Sequence, residues 1–232
     1  MHLRIFALCA LLVSFAAFSP AQIARKGSAY QFRANYSRGM KMRFLFKTVV
    51  TPINATANKR QVITFPVSML VLEVRNTKES GKVAKIRSEA GPWLLDNKPY
   101  QPKTNVTVHV DTLNRLAGTS DAEIPQFATP LPERPLKIGQ SWSSEIDTRG
   151  ATPMAIKVRA TYKLLRVSKS HATIAVSLVG KSADASNVST RGQGTMLLRM
   201  RDGTLHSMSL NQIVTVSNGM GAQTVITVTR SQ

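Results

Sequence analysis

The residues best suited to chemistry are three histidines. His109-x-Asp111 sets an imidazole two positions from a carboxylate. On an extended strand, side chains two apart share a face. A carboxylate beside an imidazole orients it for metal binding or base work. No second pair repeats the spacing, so this one reads as a polar strand face. His171 closes Ser168-Lys169-Ser170-His171 and reads as a solvated turn residue. His206 reads as lying opposite Arg199, and a cation there disfavours a metal ion. The chain has no Gly-x-Ser-x-Gly elbow, and Gly192-x-Gly194 lacks the strand-to-helix context of a phosphate loop. No residue is assigned as catalytic or metal-ligating, and no cofactor is expected. A hydrolase built on paired carboxylates is a third-ranked reading, because the 12 acids are scattered without a pointer.

Cations are more promising. Lys and Arg total 31 against 12 acids, a formal charge of +19. The first acid in the chain is Glu73. Four segments carry a basic pair at x+2 spacing: Lys41/Arg43, Lys85/Arg87, Lys157/Arg159 and Arg199/Arg201. Strand alternation turns both members of each pair outward. If these strands are neighbours, like charges stack about 5 Å apart and repel, and an anionic partner relieves the strain. These eight residues are the anion-contact candidates. The partner classes are an anionic membrane surface or envelope polymer, with lipid as a second class. Nucleic acid is disfavoured, since few aromatics interleave with the cations to stack bases.

The elements that must position these groups are strands. Met42, Phe44 and Phe46 alternate with Lys41, Arg43 and Lys47. Ile156, Val158, Ala160, Tyr162 and Leu164 alternate with Lys157, Arg159, Thr161 and Lys163, and the same rule covers Val106–Asp111 and Met196–Arg201. Period two indicates strands half buried against a core, and no stretch sustains a helical period. Asp202-Gly203 and Asn218-Gly219 predict hairpin turns. A two-residue turn at Asp202-Gly203 would pair Met200 with Leu205 and Arg199 with His206. The one expected helix is a turn or two at Ser120–Glu123, a capping-box spacing limited by Pro125. The fold expected is all-β: an antiparallel barrel, half-barrel or sandwich of about ten to twelve strands with little helix.

Residues 1–21 read as a secretory signal peptide. Arg4 precedes the apolar run Ile5–Phe18, and Ser19-Pro20-Ala21 offers a small-x-small cleavage site. The run is shorter than the ~20 residues of a spanning helix. Cleavage near Ala21 would remove Cys9, the one cysteine, and leave a chain without disulfides. The expected location is periplasmic or extracellular, soluble after cleavage.

Two halves are expected, 22–130 and 131–232, sharing one core. Gly39-x-x-Met42 opens the first and Gly139-x-x-Trp142 the second. Each runs on through a long strand, a shorter one, a loop-rich insert (88–104 or 180–194) and an alternating strand ending in Asp. A linker with Pro130, Pro132 and Pro135 divides them and reads as extended. Phe65, Trp142 and Tyr162 read as core. Trp93, Leu94 and Leu95 fall in the first insert, where an apolar loop could lid a cavity.

The stretch Leu131–Trp142, with the Asp202-Gly203-x-Leu205 turn and the Thr/Val-rich closing strand, resembles an uncharacterised family of exported bacterial all-β proteins. In these a proline-rich linker leads into a Gly-x-x-Trp start of a second β-half. The resemblance implies that fold and brings no activity. In architecture alone there is a distant similarity to periplasmic lipoprotein carriers with an unclosed β-barrel. The leading functional expectation is a non-enzymatic exported envelope protein contacting anionic surfaces or polymers. The alternative is a carrier holding an apolar ligand or lipid inside the sheet.

Overall fold

The computed structural model describes residues 21–54, 59–77, 81–116, 130–147, 156–182, 188–201, 203, 205–216 and 219–231. The expected leader, the helix near Ser120 and Asp202 itself lie outside these, except that Ala21 opens the first strand. Among the described residues there is no helix. The strands of the first half are β1 (Ala21–Lys26), β2 (Ala29–Ala34), β3 (Lys41–Ile53), β4 (Gln61–Thr77), β5 (Gly81–Ala90), β6 (Trp93–Leu95), β7 (Lys98–Gln101) and β8 (Thr104–Asp111). Those of the second half are β9 (Ser141–Asp147), β10 (Ile156–Val167), β11 (His171–Ser182), β12 (Ser189–Arg199), β13 (Leu205–Thr215) and β14 (Gly221–Arg230).

Alternation builds these strands as expected. In β3, Met42, Phe44, Phe46, Thr48 and Val50 are buried while Lys41, Arg43, Leu45 and Lys47 are exposed. β10 buries every second residue from Ile156 to Leu164. Twelve strands form one antiparallel sheet that does not close into a barrel. Its main path runs β8-β5-β4-β3-β14-β13-β12-β11-β10-β9. The two halves meet where the last strand pairs with the third, Val225 opposite Val49 and Arg230 opposite Phe44.

The free edge of β4 carries a branch. Ile63 and Thr64 pair with β6, which pairs with β7. The first insert was expected to be irregular; much of it is instead this hairpin. Trp93 is fixed rather than loose: it is buried and stacks on Phe65 at 3.7 Å, and Phe65 stacks on Phe46 at 5.0 Å. Leu94 and Leu95, partly buried, pair with β4 and β7. The two aromatic pairs, Trp93–Phe65 and Phe65–Phe46, add about 1 kcal/mol each beyond area burial.

The halves open on the same local structure. Gly39 N–H donates to Val71 O (2.8 Å), and Val71 N–H donates to Met40 O (3.0 Å). Gly139 N–H donates to Leu164 O (2.7 Å), and Leu164 N–H donates to Gln140 O (3.0 Å). Both glycines take the left-handed conformation, φ 80° and 89°. One residue later both long strands slip register against their partners, between Val71 and Glu73 and between Leu164 and Arg166.

The small β1–β2 sheet and the linker tie the outermost strands together. Tyr30 and Leu136 exchange backbone hydrogen bonds, and Ala34 N–H donates to Thr112 O just past β8. Phe32, fully buried, lies 6.1 Å from Trp142 of β9. Trp142 stacks on Tyr162 and donates its Nε1–H to Pro130 O. One contiguous apolar cluster spans both halves, and Met42, Phe44, Phe46, Phe65 and Met69 are all within it.

Candidate functional site

The four basic pairs face outward, as alternation dictates, but they are not neighbours. They lie on β3, β5, β10 and β12 or just past it, and the sheet order puts β4 between the first two and β11 between the last two. The expected ladder of stacked cations is therefore absent, because a strand without such a pair intervenes each time. Two pairs have acids across the ladder instead. Arg159 forms a 3.1 Å ion pair with Glu145, and Lys157 sits opposite Asp147. Lys85 sits opposite Glu73, and Arg87 opposite Leu70.

The other two pairs converge at one end of the sheet. Antiparallel strands alternate direction, so the starts of β3, β11 and β13 share an end with the finishes of β12 and β14. That end carries a cleft of about 760 Å³ lined by Lys41, Arg43, Lys169, Ser170, His171, Arg199, Arg201, His206, Arg230 and Ser231. Among the described residues that line it, six are cations and none is a carboxylate. Ser231 N–H donates to Arg43 O, which holds the end of β14 against β3. None of the ion pairs between described residues involves Lys41, Arg43, Lys169 or Arg201. Asp202, the one acid between Arg199 and Arg230 in sequence, lies outside the described residues.

Two histidines sit within this cationic rim, their ring centroids 4.6 Å apart. His171 was read as a solvated turn residue; it is half buried and opposite Arg199. The turn is held by Ser168, whose Oγ accepts from the His171 N–H at 3.0 Å. His171 Nδ1 is 2.9 Å from Ser170 Oγ. Desolvation, then His206, then the Arg199 guanidinium lower the His171 pKa below the ordinary histidine value. His206 was expected opposite Arg199. The β12–β13 register instead pairs Leu198 with Leu205, after a slip next to Leu197. The connection is wider than two residues, with Gly203 N–H donating to Arg199 O. On its other side Arg199 pairs with His171 of β11.

His109-x-Asp111 separates. His109 is half buried beside Lys85, while Asp111 is buried and engaged by the loop after it. One Asp111 oxygen accepts from the N–H groups of Leu113 and Arg115, both at 2.8 Å, and the other accepts from Arg115 Nε at 2.8 Å. Arg115 continues to Glu133 of the linker at 3.0 Å. This carboxylate anchors a turn. Among the described residues no three His, Cys, Asp or Glu side chains converge as a metal site.

Reasoning from the sequence missed Lys169, Arg230 and the two histidines as members of the cleft. Their shared signal is position: each lies at a strand terminus. Placing those termini together requires the β14–β3 pairing, which no local pattern announces. Comparison with known protein families, curated proteins and solved structures gave no match.

Proposed function

We propose that this is a non-enzymatic, exported cell-envelope protein that holds an anionic surface or polymer at the cleft on one end of its sheet. The observation that carries the reading is the convergence of six cations from five strands and turns, with no carboxylate among the described lining residues. Like charges held together cost free energy, and an anion entering the cleft reverses the sign of every such interaction. The guanidinium forks of Arg43, Arg199, Arg201 and Arg230 suit bidentate contact with oxyanions. Lys157/Arg159 and Lys85/Arg87 lie outside this cleft and are not part of the proposed surface. The interior gives the carrier alternative little support, since the Met and Phe side chains that would line a ligand cavity pack against one another.

The test is sedimentation with vesicles of phosphatidylglycerol and phosphatidylcholine. Retention is expected at low salt and is expected to disappear as ionic strength rises to about 0.5 M, where screening acts within a few ångströms. Replacing Arg43 and Arg201 together with Gln should weaken retention about thirtyfold, taking about 1 kcal/mol per surface cation. Arg159→Gln should leave it unchanged. Retention that ignores salt, or none at low salt, would overturn the reading.

A further inference from the structure

Building on that reading, we propose that the cleft takes a multiply charged phosphate or sulfate ester, and that His171 takes up a proton when the ester binds. Charge density argues for the ligand class. Six cations line one cleft of about 760 Å³. A carboxylate offers two oxygens and one charge. A phosphate or sulfate ester offers three terminal oxygens, and several on one scaffold match several guanidinium forks. Ser170 and Ser231 add hydroxyl donors to the lining.

Geometry argues for the proton. His171 is packed against His206 from β13 and faces Arg199 from β12, with Lys169 in its own turn. Arg230 of β14, Lys41 and Arg43 of β3, and Arg201 past β12 are the other charged groups among the described residues of the cleft. On the far side of β11, Arg166 of β10 is opposite Thr173. Every charged group described around this imidazole is positive, so the protein's own charges disfavour imidazolium. A bound polyanion brings negative charge beside the ring and favours it. By linkage, whatever makes His171 easier to protonate is itself bound more tightly when His171 is protonated. Affinity therefore rises as pH falls. A rise of about one pKa unit on binding corresponds to about tenfold in affinity.

The experiment is calorimetric titration of the purified protein with sucrose octasulfate, whose charge does not change across the pH range used. Affinity is expected to be several-fold tighter near pH 5.5 than near pH 7.5, with about tenfold as the ceiling for a one-unit shift. The apparent enthalpy should change between two buffers of different ionisation enthalpy, reporting net proton uptake by the parent protein. His171→Gln should bind with a markedly weaker pH dependence, since His206 stays in the cleft, and should melt like the parent. Octasulfate should displace the protein from phosphatidylglycerol vesicles if soluble ester and lipid headgroup share the site. A polyglutamate of matched charge should bind more weakly. Octasulfate binding with no pH dependence and no proton uptake would overturn the proton coupling. Equal binding of polyglutamate would overturn the ester class. Either result leaves salt-sensitive vesicle retention standing, whereas loss of that retention removes the proposed function and this inference together.

Discussion

Asp111 shows how a side chain that reads as chemistry becomes architecture. Its position two residues after His109 gave a plausible imidazole–carboxylate pair, but its oxygens are occupied by Leu113, Arg115 and the Arg115 guanidinium. Truncation to Ala would leave those backbone donors without their partner at a buried site. Asp111→Ala is expected to cost about 3 kcal/mol in urea unfolding. The neighbouring Tyr36 donates its hydroxyl to Asn114 Oδ1 at 3.2 Å inside the same knot. Burial, and secondarily the Asp111 charge, raise its pKa well above the ordinary tyrosine value of 10.0. The folded protein therefore keeps this phenol proton where the unfolded chain loses it. Stability from this group is complete below about pH 10 and falls as pH rises beyond, by up to about 1.4 kcal/mol per pH unit. Tyr36→Phe should flatten that part of the alkaline slope, measured as urea midpoints from pH 9 to 11.

The two opening turns offer a test of whether the halves are duplicated. Gly39 and Gly139 both have positive φ, and a Cβ at either position would meet no atom within 4 Å. Any penalty for Ala is thus a backbone penalty, with no crowding added. Gly39→Ala and Gly139→Ala are each expected to cost about 1–2 kcal/mol in denaturant midpoints. Two clearly unequal costs would argue against equivalent turns. The Gly-x-x-Met and Gly-x-x-Trp spacing made these turns legible, because Gly is the residue that enters this conformation without strain. The insert around Trp93 was not legible, since a three-residue strand is too short to show a period. Pairing with β4 and stacking on Phe65 organise it.

For the chain as a unit, one apolar cluster spans both halves, and the β14–β3 ladder joins them. The expected consequence is a single cooperative unfolding transition. The two tryptophans make this measurable, since Trp93 lies in the first half and Trp142 in the second. Fluorescence melts of Trp93→Phe and Trp142→Phe should each coincide with the far-ultraviolet dichroism melt of the same variant. Two separated transitions would show that the halves unfold independently. The same ladder creates the cleft, because it brings the start of β3 beside the end of β14 and hence within reach of β12 and β11.

Side-chain alternation was readable from residue order because a strand's period of two is a local property. It fixed which atoms go inward, which go to water, and therefore the all-β class and the outward cations. Strand order and register depend on contacts between residues far apart in the chain. Those contacts decided that β4 and β11 separate the basic pairs, that Arg159 meets Glu145, and that Arg199 faces His171 instead of His206. The charge was present in the composition; the pairing of the last strand with the third gathered part of it into one place.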